Sequence, residues 1–185
     1  GQPQDAGVVA RRDARSTTQP SERQALPVQG LRERLPLGFA NLTPKEQVLM
    51  KEGGFLGLFG RKPDLQAATQ AAWRYEAAAT LLWALGAWEL VFPGSIVDAG
   101  QLVRGVLERD AEAFVRDAEL RPAAEILDEL DLVYRLHWLT TEARVGDGAA
   151  PVPDVDPGVV LERHYALNWL TRFEPDEWDD ITTPT

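Results

Sequence analysis

The segment that most constrains the fold is residues 64–90, DLQAATQAAWRYEAAATLLWALGAWEL. At about 100° per residue, its apolar side chains lie on every side of a helix. Such a helix belongs in a protein interior, so we expect Leu82 and Trp83 to be nearly solvent-free. The uncharged run at 77–88 is far shorter than the ~20 residues that cross a bilayer. The segment is therefore predicted to be a buried central helix.

Local signals for helix starts divide much of the remaining chain into helices. Thr43 and Glu46 form a capping box, with a proline at the first helical position between them. Asp98, Asp110 and Asp156 each stand before a helical segment as an N-cap residue. These signals predict several shorter helices around the central one.

The predicted architecture is all-α, a single-domain helical bundle around the central helix. Residues 122–144 and 157–172 have helical periodicity and join residues 64–90 as its main helices. No segment alternates between apolar and polar residues over more than a few positions, which argues against strands. We expect an N-terminal arm, partly irregular, at 1–41 and an α-helical domain at 42–185.

The composition is acidic, with a net charge of −10 and a pI near 4.7. This balance argues against nucleic-acid and anionic-membrane partners, which require clustered Lys and Arg. The densest acidic stretch, Glu108 to Asp131, has 9 acidic and 3 basic residues. It is interpreted as a solvated face, with a docking surface for a basic protein as the alternative. No apolar run of signal-peptide length occurs in residues 1–30, so we expect a soluble, cytoplasmic protein.

Motifs for metal or nucleophilic chemistry are missing from the sequence. It has no Cys, and its two His, His137 and His164, are not at metal-ligand spacing. Neither a phosphate-binding glycine loop nor a serine in a nucleophile-elbow context occurs. We therefore expect no metal and no cofactor. Glu76 and Glu162 could still serve as a general acid–base pair if a pocket brought them together.

The most informative feature is a set of charged and polar side chains within apolar helices. A charge in a core requires a partner, and such pairs often fix how helices align. We predict that Glu162 and Arg163 are each paired with a neighbouring helix. The candidate pocket or polar network comprises Trp73, Arg74, Glu76, Arg135, His137, Trp138, Glu162, Arg163, His164, Asn168, Trp178, Asp179 and Asp180.

The acidic C-terminal tail contains two apolar anchors, Trp178 and Ile181, on either side of Asp179 and Asp180. We predict a clasp in which Trp178 packs beside the last helix. Asp179 or Asp180 would accept hydrogen bonds from a core arginine or from a helix N-terminus. The alternative is a loop that binds Mg²⁺ or Ca²⁺, which requires more oxygen ligands than this short stretch offers.

Several motifs, in order and at consistent spacing, resemble the domain-of-unknown-function family numbered 4272, found mainly in bacteria. These are LTPKE (42–46), WRYEAAATLLWALG (73–86), LRPAAEILDELDLVYRLHW (120–138), EAR (142–144), DPGVVLERHYALNWL (156–170) and WDDITTPT (178–185). Pro184 stands where the closing pattern of the family has an aspartate. The resemblance implies membership of this group and no established activity.

Two functional hypotheses follow from these observations. The first is a non-catalytic α-helical binding or protein-interaction module with a structural buried charge network. The second is a metal-independent enzyme or small-ligand binder that uses Glu76, Glu162, His137 and His164 in an inter-helix pocket. Convergence of these groups in one enclosed pocket favours the second, whereas burial with mutual pairing favours the first. The expected partner is accordingly a protein or a small polar ligand.

Overall fold

The computed structural model describes residues 32–33, 35–54, 65–146 and 150–185. Residues 1–31 of the predicted N-terminal arm therefore lie outside the described residues. Over the described ranges the chain forms seven α-helices and no strand, which confirms the all-α prediction. The helices are α1 (Pro36–Ala40), α2 (Pro44–Gly54), α3 (Leu65–Ala84), α4 (Ala99–Leu107), α5 (Ala111–Asp117), α6 (Ala123–Val145) and α7 (Pro157–Thr171), followed by a 3₁₀ turn (Trp178–Asp180).

The predicted caps are present at the starts of four helices. Thr43 Oγ1 accepts from the Glu46 amide at 3.3 Å, and Glu46 Oε2 accepts from the Thr43 amide at 2.9 Å. The carboxylates of Asp98, Asp110 and Asp156 each accept from amides two or three residues further along the chain. The starts of α2, α4, α5 and α7 are thus encoded locally, because each cap satisfies amides that have no partner within the helix.

Helix α3 ends at Ala84, and the prediction that it runs to Leu90 is wrong. Gly86 adopts a left-handed backbone with φ 66°, which glycine adopts without steric cost. Its amide donates to Trp83 O and the amide of Ala87 donates to Leu82 O, both at 2.8 Å. This pair of bonds is a Schellman ending, which turns the chain out of the helix. Residues 88–98 therefore form a loop.

Leu82 and Trp83 are half-buried, contrary to the expectation that they are nearly solvent-free. The Arg121 guanidinium lies over the Trp83 ring, 5.1 Å from its centroid, so the indole is at the edge of the bundle. The buried apolar positions of α3 include Ala77, Ala79 and Ala84, which have small side chains. Ala77 and Ala84, seven positions apart, share one side of the helix, where their small side chains let the backbone of a neighbouring helix approach closely.

That neighbour is α7, which packs against both α3 and α6. Every residue of α7 from Glu162 to Asn168 is buried. The apolar core joins side chains from all three helices: Ala84, Ile126, Val133, Leu136, Val160 and Leu167. Because α7 is enclosed over this length, its charged side chains must find partners inside the protein. Within the described part of the chain, no helix has both the length and the apolar character to cross a bilayer.

Candidate functional site

Two ion pairs cross the interface between α3 and α7. Arg74 and Glu76 are two positions apart on α3, and Glu162 and Arg163 are adjacent on α7. Arg74 pairs with Glu162, and Glu76 faces Arg163. The prediction that Glu162 and Arg163 each have a partner on another element is therefore confirmed.

The Arg74–Glu162 pair lies at the edge of the interface. Arg74 Nη1 donates to Glu162 Oε2 at 2.9 Å, and the Arg74 side chain keeps 37% of its surface exposed. Its guanidinium lies over the Tyr165 ring at 3.8 Å and within 5.8 Å of the Trp178 ring. Burial raises the pKa of Glu162, and the charge and hydrogen bond of Arg74 oppose that rise. This pair is satisfied by direct bonding and by the aromatic face.

The Glu76–Arg163 pair is fully enclosed, with side-chain exposures of 1% and 3%. Glu76 Oε1 accepts from the Val97 amide, and Arg163 Nη1 donates to Val91 O at 2.7 Å. The facing atoms, Glu76 Oε2 and Arg163 Nε, are 4.0 Å apart. Neither has a hydrogen-bond partner among the described residues. Both side chains therefore hold the 88–98 loop, while their facing atoms remain buried and unbonded.

Burial perturbs the protonation of both members of this pair. It raises the pKa of Glu76, while the Val97 amide and the charge of Arg163 act in the opposite direction. Burial likewise lowers the pKa of Arg163, and the carboxylates of Glu76 and Glu129 oppose that change. Desolvation is the largest cause in both cases, as expected for charges taken out of water.

A cavity of about 180 Å³ borders this pair, between α3, α7 and the 88–98 loop. Its apolar lining comes from Ala79 of α3 and from Trp88, Leu90, Val91, Ile96 and Val97 of the loop. Glu76 and Arg163 are its buried polar groups, and the exposed side chains of Glu89, Ser95 and Asp98 also line it. The arrangement is a largely apolar cavity whose lining holds one buried charged pair and the exposed carboxylates of Glu89 and Asp98.

The two histidines form a separate buried pair between α6 and α7. His137 Nδ1 and His164 Nδ1 are 2.9 Å apart, so one nitrogen donates and the other accepts. Burial lowers the pKa of both, and that of His164 falls to about 4. His137 is thus a hydrogen-bonded core residue.

The cavities beside the histidines differ from the one at Glu76. His137 borders a cavity of about 550 Å³ together with Thr140, Arg144 and Leu161. His164 borders another, of about 280 Å³, that Tyr134 and Asn168 also line. The acid–base candidates Glu76, His137 and His164 thus line three different cavities.

The C-terminal tail is fastened across α7 and α2. Trp178 packs edge-on against Tyr165 and Trp169, with ring centroids 5.0 and 5.3 Å away. The Tyr165 hydroxyl donates to Trp178 O, and Asp179 Oδ2 accepts from the Lys45 amide at 3.0 Å. Lys45 lies in the first turn of α2, so the predicted clasp with a helix N-terminus is present. Among the residues that the structure covers, no group of three or more His, Asp or Glu is placed to hold a metal ion.

Not every predicted site residue joins these clusters. Arg135 is exposed and pairs with Asp131 one turn away on the same helix, at 2.8 Å. Trp138 is 48% exposed, also on α6. Trp73 instead lies against the backbone of Gly158, where an added Cβ would come within 2.5 Å of the indole. Asn168 donates to Thr182 O at 2.9 Å and so contributes to fastening the tail.

The sequence reasoning missed the residues of the 88–98 loop that complete the cavity. Trp88 was assigned to the central helix, and the backbone groups of Val91 and Val97 have no side-chain signature. Gly86, just before this loop, is the signal that could have identified it, because glycine commonly ends a helix. Tyr165, under the Arg74 guanidinium, was missed as well.

Neither the curated proteins nor the solved structures include one that matches the chain. The family described as Domain of unknown function (DUF4272) matches residues 8–181. This range includes α1 to α7, both ion pairs and the Trp178–Asp180 turn, and it begins well before Leu42, where the sequence motifs begin. The chain therefore belongs to the DUF4272 family, whose function is unknown.

Proposed function

We propose that this domain is a non-catalytic binding module that takes a small polar ligand into the cavity at Glu76 and Arg163. The observation that carries the proposal is the buried charged pair that borders the cavity, in which Glu76 Oε2 and Arg163 Nε have no hydrogen-bond partner among the described residues. Buried polar atoms nearly always have a partner, and leaving one without costs about 1–3 kcal/mol, more for a charged group. A polar molecule that reaches the pair from the cavity would give both atoms a partner.

The separation of the acid–base candidates supports binding over catalysis. General acid–base chemistry requires groups within hydrogen-bond reach of one reacting centre. Glu76 lines a different cavity from either member of the hydrogen-bonded His137–His164 pair, and Glu162 is bonded to Arg74. The histidine pair and the Arg74–Glu162 pair are accordingly interpreted as structural contacts that align α3, α6 and α7.

A cavity-filling variant tests the proposal. Ala79→Leu adds three carbon atoms at a buried residue of the cavity lining, and Ala124→Leu makes the same change at an exposed position of α6. A set of small polar fragments is titrated into ¹⁵N-labelled protein while the Trp88 indole and Val97 amide signals are followed by NMR. We expect saturable shifts in the wild type and in Ala124→Leu, and none in Ala79→Leu. No saturable shift in the wild type, or binding that survives Ala79→Leu, would contradict the proposal.

A second candidate function is recognition of a basic protein through an acidic face on α5 and the adjoining ends of α4 and α6. A groove of about 350 Å³ runs beside the turn at residues 85–87. Ala113 and Phe114 contribute apolar surface to it, and Asp110 and Asp117 contribute carboxylates. Apolar surface beside carboxylates is suited to a partner with apolar and basic side chains.

The arginines of this face are already engaged within the domain. Arg109 donates to Ala87 O at 2.9 Å, Arg116 pairs with Asp117 at 2.8 Å, and Arg121 donates to Trp83 O at 2.7 Å. The remaining carboxylates of the face include three exposed ones that have no partner in the part of the chain described, namely Glu112, Glu119 and Asp128. Val115 and Leu120 lie among them, with 64% and 57% of their surface exposed.

Matched charge reversals test this second candidate. The probe is a synthetic amphipathic helical peptide with lysine on one face and leucine on the other. The triple variant Glu112→Lys, Glu119→Lys, Asp128→Lys should bind it at least about tenfold more weakly than the wild type, because it removes the complementary charge.

The control for that experiment carries the same change in net charge away from the acidic face. It is Glu142→Lys, Asp176→Lys, Glu177→Lys, at exposed residues near the end of α6 and in the tail. Its affinity should stay close to that of the wild type. Equal losses in the two triple variants would show that only net charge attracts the peptide, which excludes a specific acidic face.

A further inference from the structure

We infer that the cavity of about 550 Å³ beside His137 binds a small hydroxy acid, whose hydroxyl donates to His137 Nε2 and whose carboxylate pairs with Arg144. This cavity shares no described lining residue with the one at Glu76, so the inference goes beyond the proposed function and does not depend on it. Three observations support it: the tautomers of the two histidines, the access of His137 Nε2 to the cavity, and the charge of the lining.

The partners of the two imidazoles decide which ring nitrogens carry hydrogen. Asn168 Nδ2 donates to Thr182 O, so Oδ1 is the atom of this amide that can accept. The hydrogen bond with Asn168 raises the pKa of His164, as it does when the imidazole is the donor. Because His164 Nδ1 faces His137 Nδ1, the donor to Asn168 is His164 Nε2. A neutral imidazole has a single ring hydrogen, so His164 Nδ1 accepts and His137 Nδ1 donates.

This tautomer leaves His137 Nε2 as an acceptor that a cavity occupant can reach. The hydrogen bond of the His137 ring within the described part of the chain is the one at Nδ1. Among the described side chains, the fully enclosed polar atoms without a partner are Glu76 Oε2 and Arg163 Nε. His137 Nε2 has no partner either and is not one of them, so it retains accessible surface. Since His137 lines the cavity, its free lone pair is available there.

The charge of the described lining comes from Arg144, in the last turn of α6. Its side chain is exposed and forms no ion pair or hydrogen bond within the described ranges. Burial lowers the pKa of His137 and the charge of Arg144 lowers it further, so the guanidinium lies near the imidazole. The carboxylate of Asp156 is bonded to the amides of Gly158 and Val159 and does not line the cavity. The described lining is therefore cationic, with a neutral acceptor beside the cation.

These two groups select the functional groups of the ligand. A hydroxyl can donate to the imidazole nitrogen, and a carboxylate can accept from the guanidinium through charge-assisted bonds. An ammonium group could also donate to His137 Nε2, but Arg144 would repel it. A ligand with a keto group in place of the hydroxyl has no hydrogen to donate, so it leaves Nε2 without a partner.

The rest of the cavity indicates an aliphatic body for the ligand. Its volume lies within the ~300–1,000 Å³ range of small-molecule sites. Pro151, Val152 and Leu161 contribute apolar surface to the lining. A branched hydrocarbon chain attached to the hydroxy acid would cover this surface.

Four probes that share one carbon skeleton test the class of ligand. They are 2-hydroxy-4-methylpentanoate, its 2-oxo analogue, 4-methylpentanoate, and 2-hydroxy-4-methylpentanamide. Each is titrated at pH 7 into ¹⁵N-labelled protein while the Gly158 and Leu161 amide signals are followed by NMR. The hydroxy acid should have a dissociation constant at least about fivefold lower than the other three, the factor that one hydrogen bond supplies.

The ¹⁵N signals of the imidazoles test the contact with His137 directly. In the free protein, His137 Nε2 should have the chemical shift of an unprotonated imidazole nitrogen. That shift should move when the hydroxy acid binds and stay in place with 4-methylpentanoate. A protonated His137 Nε2 in the free protein would overturn the inference, because this nitrogen could then not accept.

A matched pair of arginine variants tests the contact with the carboxylate. Arg144→Gln removes the charge at an exposed position, so it should weaken binding of the hydroxy acid at least about fivefold and leave that of the amide unchanged. The control, Arg135→Gln, makes the same change at another exposed arginine of α6 and should bind all four probes like the wild type. Equal affinities for the hydroxy and oxo acids, equal losses in the two variants, or no saturable shift with any probe would each refute the inference. None of these results bears on the cavity at Glu76.

Discussion

The two ion pairs between α3 and α7 have the same composition and different surroundings. Arg74–Glu162 lies at the edge, with a direct bond of 2.9 Å and an aromatic ring beneath the guanidinium. Glu76–Arg163 lies in the interior, where the charged atoms remain 4.0 Å apart and each side chain instead bonds to backbone of the 88–98 loop. The edge pair has the geometry of a contact that aligns two helices, whereas the interior pair leaves two buried polar atoms without a bond beside a cavity.

The difference shows that burial alone does not define the role of a charge. Desolvation makes a buried ion pair a weak source of stability even when it is well bonded. The interior pair has that cost and also lacks the direct bond. The proposed function assigns the alignment of α3 and α7 to Arg74 and Glu162, and it assigns the interior pair to a ligand that completes the missing bonds.

The largest effect should come from breaking the interior pair on one side only. Arg163→Met should lower the free energy of unfolding by about 3–5 kcal/mol, because it leaves the carboxylate of Glu76 buried without compensation. The double variant Glu76→Leu, Arg163→Met should recover most of that loss. Urea unfolding of the single and double variants measures this, and a double variant that merely adds the two single losses would contradict it.

The same experiment has a pH control. Burial raises the folded-state pKa of Glu76, and removing Arg163 removes a charge that lowers it. A carboxyl with a raised folded pKa contributes stability below its unfolded pKa and loses it as pH rises through the folded value. Arg163→Met should therefore be less destabilising at pH 5 than at pH 7. If Arg163→Met lowered the free energy of unfolding equally at pH 5 and pH 7, the uncompensated carboxylate of Glu76 would not be the cause of the destabilisation.

The uncharged His137–His164 pair separates the effect of burial from that of ionic pairing. The folded-state pKa of His164 is about 4, against an ordinary 6.5, so the unfolded chain takes up a proton first as pH falls. The stability linked to His164 is complete above about pH 6.5 and is lost as pH falls towards 4, by about 3 kcal/mol in total.

This pH dependence is measured against His164→Gln. Both proteins are unfolded in urea from pH 7 to pH 4, and the wild type should lose more stability over this range than the variant. The groups around the pair are His137, whose pKa is lowered as well, the nearby Arg144, and the neutral side chains of Tyr134 and Asn168. The raised pKa values of Glu76 and Glu162 make the folded state more stable as pH falls. Both proteins share this contribution, so it cancels in the comparison. If the free energies of unfolding of the two proteins fell in parallel with pH, His164 would not be buried and neutral in the folded state.

Much of this fold follows from local sequence signals. The caps at Asp98, Asp110 and Asp156 use side chains that bond within three residues, so no tertiary information is needed to locate them. Helical periodicity also placed Glu162 and Arg163 on an apolar side of α7, which correctly predicted that they need partners. It could not assign those partners, because Arg74 and Glu76 are only two residues apart and the choice depends on how the helices cross.

The errors have a common physical origin. Periodicity shows that a surface is apolar, but another element must be known to cover it before burial follows. Trp138 and Leu82 lie on apolar surfaces that the described residues cover only in part. The cavity at Glu76 could not be predicted from the sequence for a related reason, because it depends on backbone groups of a loop that continues the apolar run of α3.

The smallest effect should come from the edge pair, and it provides the sharpest contrast with the interior pair. In a double-mutant cycle of Arg74→Met and Glu162→Gln, we expect a coupling energy of about 1 kcal/mol, because Arg74 is partly exposed and the solvent screens its charge. Raising NaCl from 0.1 to 1 M shortens the Debye length from about 10 to about 3 Å, so this coupling should shrink. The corresponding cycle for Glu76 and Arg163 should be nearly insensitive to salt, because both side chains are enclosed. Equal salt sensitivity of the two cycles would show that water and ions reach the interior pair as readily as the edge, which would remove the physical basis for assigning the two pairs different roles.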